Sequence, residues 1–365
     1  EDWELCKLKE IVDVRSGRDY KHLGSGNIPV YGTGGYMLSV SEALSYDEDA
    51  IGIGRKGTIN NPYILKAPFW TVDTLFYAIP KNNFDLNFIY SIFRKINWKS
   101  KDESTGVPSL SKTTINAVTV YIPSGSEQQR IGEFFKQIDN TITLHQRELD
   151  QLKELKKAYL QLMFPVKDER VPKLRFADFE GEWEQCKFFD MWEKSSDRNK
   201  ELKYSSKDVL SVAKMTKNPV ERNSSDEYMK TYNILHYGDI AFEGNKSKDY
   251  SFGRFVLNNL QDGIVSHVFI VFKPKVKMDI DFMKVYINNE YFMKHHLVKA
   301  TTKTLMMTTL NVQDMNKQKL RIPSLNEQER IGKFFKELDH AITLHQNKLT
   351  QLKSLKKSYL QNMFI

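Results

Sequence analysis

Cysteine is nearly absent from this 365-residue chain, with Cys6 and Cys186 the two examples. Two thiols build neither a disulfide scaffold nor a tetrahedral zinc cluster. They stand in matching contexts, Trp3-Glu4-Leu5-Cys6-Lys7 and Trp183-Glu184-Gln185-Cys186-Lys187. Each reads as a small buried apolar position, and the expected location is the reducing cytoplasm. No run of about 18 apolar residues occurs, so no membrane span is expected. The opening stretch, Glu1 to Glu10, has no signal-peptide character. Paired carboxylates at interpretable spacing, histidine-rich ligand clusters and nucleophile elbows are missing too, so no catalytic residue and no metal ligand is assigned. His295 and His296 adjoin on a predicted helix and point about 100° apart, poor geometry for one ion. Gly52-x-Gly54-x-x-Gly57 matches a dinucleotide fingerprint, but a true one opens a helix. Here Thr58-Ile59-Asn60-Asn61-Pro62 follows, and the segment reads as a turn-rich loop.

The hydrophobic share is 40% with 12% aromatics, enough to bury real cores. The length suits two domains. Lys plus Arg exceeds Asp plus Glu by 54 to 46, a net charge of +8, which suits a nucleic-acid partner.

The dominant feature is a duplication. Residues 127–164 and 327–364 align at an offset of 200, and 26 of the 38 positions are identical. The match returns at Ser109-Leu110-Ser111 with Thr309-Leu310-Asn311, and at Ile122-Pro123 with Ile322-Pro323. Val72-Asp73-Thr74-Leu75-Phe76 and Val265-Ser266-His267-Val268-Phe269 align at another offset, so insertions fall between the anchors. Ile131, Phe135, Ile138, Ile142, His145, Leu149 and Leu152 alternate at spacings of four and three, a heptad seam. Ile331, Phe335, Leu338, Ile342, His345, Leu349 and Leu352 repeat it. Beyond Leu152 the seam is expected to shift to Leu155, Tyr159 and Met163, and the two histidines to be core residues. Ser126 with Gln129, and Asn326 with Glu329, are read as capping boxes. Each rod needs an apolar partner, and its own copy, running antiparallel, is the nearest candidate.

A sequence-divergent globule precedes each rod. Ile28–Tyr31, Leu75–Ile79 and Val268–Phe272 read as strands, and Phe84–Trp98 and Phe282–Leu297 as helices.

Taken together, Pro172-Lys173-Leu174-Arg175-Phe176 before Trp183-Glu184, the doubled Glu-Gln-x-Arg-Ile-Gly-x-Phe-Phe after Ile-Pro, and the doubled ending Leu-Lys-x-Leu-Lys-Lys-x-Tyr-Leu-Gln-x-Met-Phe resemble the specificity subunit of a type I restriction–modification system. The likeness covers essentially the whole chain and departs from the pattern before Trp3, where Pro-x-Leu-Arg-Phe is lacking. The resemblance implies an α+β protein with two mixed α/β target recognition domains, 1–124 and 165–324. Two long antiparallel coiled-coil helices, 125–164 and 325–365, separate them about an internal pseudo-two-fold. It implies a DNA-binding, non-catalytic subunit in which each domain reads half of a bipartite asymmetric site. The helices set the spacer and dock two methyltransferase subunits, with restriction subunits in the full complex. S-adenosylmethionine, and ATP with magnesium for restriction, are expected in those partners and no cofactor in this chain. Asn60-Asn61-Pro62-Tyr63 lacks the second proline of the adenine-methyltransferase motif and is read as a chance near miss. A specificity subunit of another methyltransferase-linked system and a coiled-coil adaptor for proteins are the alternatives.

Double-stranded DNA requires cations for phosphates and amides, guanidinia or hydroxyls for base edges. The first globule concentrates them at Arg55, Lys56, Thr58 and Asn60, with Thr74 and Thr105; the second at Asn245, Lys246, Ser247 and Lys248, with His267 and Lys303.

Overall fold

The computed structural model describes residues 3–218, 225–245, 247–303 and 307–364. They form two compact units, one of residues 1–147 with 345–365 and one of residues 148–344. Each unit therefore closes on part of both long helices, a different division from the four consecutive segments drawn from sequence.

The first unit is built on a four-stranded antiparallel sheet ordered Val12–Ser16, Leu75–Pro80, Ala50–Gly54, Tyr63–Leu65. Side chains alternate across it as strand geometry requires. Ile51, Ile53, Phe76 and Ala78 join the core under the helix Leu86–Lys95, while Ala50, Tyr77 and Ile79 join Leu65 and Phe69 on the other face. Both middle strands are buried on two sides, which is why they read as unbroken apolar runs. A hairpin, Ser25–Gly32 with Gly35–Val40, lies beside this sheet.

The second unit repeats the plan with little sequence in common. Its sheet runs Trp192–Lys194, Ile270–Pro274, Ile240–Glu243, Arg254–Leu257, the same order. Ile240, Phe242, Phe255 and Phe272 enter one core and Ala241, Val256 and Val271 another. The region expected as one helix over Phe282–Leu297 is two, Ile280–Asn288 and Glu290–Ala300. Asn289 breaks it: its side chain caps the second helix by accepting from Tyr291 N and donates to Leu160 O at 2.9 Å. In the first unit the expected helix to Trp98 stops at Lys95, and Trp98–Lys101 is a 3₁₀ turn.

The cysteines lie on short strand pairs, Cys6 opposite Val120 and Cys186 opposite Leu320. They are half-buried rather than buried. Desolvation pushes the Cys186 thiol up to about 11.

The long helices span Gly125–Leu162 and Leu325–Asn362. They begin earlier than the expected capping boxes, because Ser124 and Ser324 serve the first turns. The amides of Gln128 and Gln328 each donate to the carbonyl of that serine at 2.9 Å, and Glu327 N reaches Ser324 Oγ at 3.4 Å. Within each unit the two helices run antiparallel. Phe134 meets Tyr359 in the first, and Tyr159 meets Phe334 in the second, ring centroids 5.0 and 4.9 Å apart.

Ile131, Phe135, Ile138, Leu149, Ile331, Phe335, Leu338 and Leu349 are buried on this seam, and Ile142, Leu152, Ile342 and Leu352 half-buried. The expected register break does not occur. Leu155 and Leu355 face solvent, each 44% exposed, and the heptad continues through Lys156 and Lys356. A lysine is tolerated there because Asp339 and Asp139 stand across from it, each pair 2.5 Å apart. The histidines are half-buried, with the Nδ1 atoms of His145 and His345 3.2 Å apart.

The doubled motif residues each have a structural task. Gln128 and Gln328 are buried, donate to Pro123 O and Pro323 O at 3.0 Å, and accept from the amides of Asp85 and Asp279. The closing phenylalanines complete the cores. Phe364 stacks on Phe88 and Phe135 in the first unit, and Phe164 on Phe282 in the second.

His296 supplies a pH test. Burial beside Phe292 lowers its pKa from the ordinary 6.5 to about 4. The folded state thus holds it neutral while the unfolded chain takes up a proton. Its effect is absent above pH 6.5 and grows unfavourable as pH falls towards 4. In urea melts, His296→Gln is expected to flatten the decline of second-unit stability between those values relative to the unsubstituted protein. Parallel curves for the two proteins would refute the assignment.

Candidate nucleic-acid interface

In the first unit the middle strand Ala50–Gly54 ends at Gly54, and the chain folds straight back. A Cβ at Gly54 would collide with Thr58 O, and Gly57 has a positive φ of 92°, so the glycines of the false fingerprint make this tight return possible. No helix follows them.

Arg55 N donates to Thr74 O at 2.8 Å, Gly57 N to Pro108 O at 2.8 Å and Leu110 N to Arg55 O at 2.9 Å. The backbone thereby brings Arg55 and Lys56, Thr74 and the loop carrying Thr105 to one place. That loop is held by Asp102, whose carboxylate accepts from Ser104 N, Ser104 Oγ and Ser109 N at 2.8 to 3.0 Å. These bonds hold the Asp102 carboxyl below the usual carboxylate range. Arg55, Lys56, Thr58, Asn60 and Thr105 are exposed, and Thr74 is half-buried. Lys112 lines the same open hollow as Arg55 and Lys56.

The second unit places its loop at the same strand end. Asn245 bridges to Met307 as Lys56 bridges to Ser109, and Thr308 N donates to Gly244 O at 2.8 Å. Asn245, Ser247 and Lys248 are exposed, and Ser247 Oγ accepts from Tyr250 N at 3.1 Å. Lys246 lies outside the described residues, as does the Lys303 side chain; the Lys303 backbone pairs with Thr308.

The sequence match of Thr74 with His267 is off by one residue. Ile53 pairs with Phe76 and Phe242 with Ile270, so Thr74 is registered with Val268, and His267 is exposed one residue earlier. Strand register, not residue similarity, sets the correspondence.

Two features escaped the sequence reading. The first is a buried ion pair under the second loop: Arg254 Nε contacts Glu243 Oε2 at 2.7 Å, with the guanidinium 4.7 Å from the Tyr250 ring centroid. Tyr250 in turn donates to Asn288 Oδ1 at 2.6 Å. A hollow of about 690 Å³ opens beside it, with Lys156, Lys214, Lys248 and Lys294 in its wall. The second is the hairpin tip at Tyr36 and Met37; the Gly34-Gly35 pair between β-prone runs was the available signal.

The arrangement defines a class before any relative is considered: two copies of one sheet, each presenting a cationic loop from the same strand end. The sequence profile of the type I restriction modification DNA specificity domain matches residues 1–154 and 180–354, and the chain belongs to that family. The type I restriction enzyme MjaVIII specificity subunit of Methanocaldococcus jannaschii is 24% identical over 213 residues, 48% of this chain and 48% of that one. The match thus spans about half the length of that curated relative. The crystal structure of a type I restriction–modification S subunit from M. genitalium superposes with a TM-score of 0.69 at 11% identity, covering 100% of this chain and 96% of the other. A chain from a structure of complex assembly and conformational transition in the type I system superposes at 0.52 with 13% identity, covering 99% and 97%. These two likenesses speak for the fold. Among the described residues no helix is long and apolar enough to cross a membrane.

Proposed function

We propose that this chain is the DNA-specificity subunit of a type I restriction–modification complex, each unit reading one half of a bipartite, asymmetric site. The observation that carries the reading is the recurrence of one loop at one strand end in two globules of divergent sequence. A shared scaffold with unlike loops is what two unlike half-sites need. Arg55, Lys56 and Lys248 supply phosphate contacts, and Lys246 and Lys303 are assigned the same role from the sequence. Thr58, Asn60, Thr74, Thr105, Asn245, Ser247 and His267 supply the polar groups of the readout surface. The long helices dock two methyltransferase subunits and set the spacer, and restriction subunits join for cleavage. Chemistry belongs to the partners: adenine N6 methylation with S-adenosylmethionine, and ATP- and magnesium-dependent restriction. The protein acts in the cytoplasm.

Mapping genomic adenine methylation with the gene present and deleted tests this. One asymmetric two-part motif is expected to vanish on deletion, and an unchanged methylation pattern would refute the function. Binding by the assembled methyltransferase complex adds a residue-level check. Arg55→Ala with Lys56→Ala is expected to shrink the slope of log affinity against log salt by about 1 for each phosphate that is no longer neutralised. A slope identical to that of the unsubstituted complex would remove these two residues from the interface.

A further inference from the structure

We propose that base edges are read by two β-hairpin tips standing beside the cationic loops, through Tyr36 and Met37 in the first unit and Lys214 in the second. This rests on the DNA-specificity reading above and adds which element enters the groove.

In the first unit the hairpin pairs Tyr31 with Tyr36 and Gly32 with Gly35, closing through Thr33 and Gly34. Its third strand, Trp70–Thr71, pairs only with Val30 and Tyr31. Residues 32–37 therefore project as a two-stranded ribbon. A Cβ added at Gly34 or Gly35 would meet nothing within 4 Å, so the tip stands in open space.

It also stands next to the cationic loop, since a Cβ at Gly57 would lie 3.9 Å from Thr33 Oγ1. The base of the ribbon is fixed. Tyr63 donates to Gly32 O at 2.6 Å, and the Tyr31 ring lies 6.1 Å from that of Tyr63 and 6.3 Å from that of Tyr36. Tyr36, 63% exposed, ends this aromatic row, with Met37, 49% exposed, beside it.

A two-stranded ribbon fits a major groove about 12 Å wide, where apolar groups contact the thymine methyl and hydroxyls pair with base edges. The neighbouring Arg55 and Lys56 hold the flanking phosphates. Large apolar side chains on a projecting tip, flanked by cations, match a groove with charged walls and an apolar, hydrogen-bonding floor.

The second unit has the same device with different chemistry. The hairpin Leu210–Ser211 with Thr216–Lys217 turns through residues 212–215, with Met215 at a positive φ of 46°. Arg254 Nη2 donates to Ala213 O at 2.8 Å while its Nε binds Glu243, the last residue of the strand leading into the loop at Gly244. Arg254 thus ties tip and loop together as a positioning residue. The exposed group at this tip is the Lys214 ammonium, a donor suited to guanine O6 and N7. A phenol and thioether on one tip and an ammonium on the other give two unlike half-sites.

The test is methylation by the assembled complex on oligonucleotides with each half-site randomised in turn. Tyr36→Ala with Met37→Ala is expected to relax preference in one half-site roughly tenfold or more at the contacted positions. The other half-site, and the salt slope, should not change, because no charge is removed. Lys214→Ala is expected to relax only the other half-site. Met37→Ala alone gives a milder variant whose folding is not in question, with a smaller relaxation in the same half-site. Unchanged preferences in both half-sites for these variants would overturn the hairpin assignment while leaving the DNA-specificity function standing. A parent complex with no sequence preference would overturn that function and the assignment with it.

Discussion

Replacing Arg175 by alanine is expected to cost the second unit about 3–5 kcal/mol, the penalty for leaving a buried charge without its partner. Arg175 Nε and Nη2 each lie 2.7 Å from a Glu327 carboxylate oxygen, a bidentate pair, and Nη1 donates to Gly181 O at 2.6 Å. The Glu327 side chain is 1% exposed, and its other contact is the Trp183 indole at 3.3 Å. Truncation removes two charge-assisted bonds and leaves one weak donor. The segment from Leu174 to Trp183 is also released from the base of the long helix, where Phe176 lies 6.1 Å from Phe334. Urea unfolding of the single variant should show this loss. The double variant Arg175→Met with Glu327→Met should recover most of it, because well-packed apolar groups replace a buried pair at little cost. A single variant within about 1 kcal/mol of the parent would show that water reaches Glu327 and that the pair is not a buried one. Recognition of one half-site is expected to fail first as temperature rises.

What could be read from sequence was whatever obeys a period. The duplication, the long helices and the heptad seam as far as Leu152 carry periodic signals, while the middle strands Leu75–Pro80 and Ile270–Pro274 showed as short apolar runs. Asn289 was missed because apolar residues keep helical spacing across it, Phe282, Tyr286 and Met293 all being buried while the backbone breaks between them. Lys156 was missed because a lysine on a seam reads as a defect until Asp339 is seen across from it. Residue chemistry, cations and amides beside glycine, singled out the loops of Arg55 and Asn245 in the sequence, yet the register that equates Thr74 with Val268 depends on strand pairing. Tyr36 and Met37 stayed invisible as reading candidates because their isolation in space, not their identity, marks them.

Gly132 and Gly332 are the repeated glycines of the Arg-Ile-Gly motif, and alanine at either is expected to destabilise its unit although alanine favours helices. Propensity predicts a gain of about 1 kcal/mol. Packing opposes it. A Cβ at Gly132 would collide with Asp85 Oδ1 and lie 2.8 Å from Phe88 N; at Gly332 it would collide with Asp279 Oδ1 and lie 2.5 Å from Phe282 N. Those atoms make the caps of the helices that begin at Leu86 and Ile280, where Phe88 N and Phe282 N donate to the aspartates at 2.8 and 2.7 Å. The methyl therefore strikes backbone on one side and breaks a cap worth about 1 kcal/mol on the other. Overpacking adds about 1–3 kcal/mol, so destabilisation wins by about 1–3 kcal/mol in the folded protein. Gly125, whose added Cβ meets nothing within 4 Å, is the control, and alanine there should be neutral or slightly stabilising. Urea midpoints of the three variants check the order. A Gly332→Ala protein as stable as Gly125→Ala would mean that the two helices separate without cost, and that the motif glycine is kept for something other than close approach.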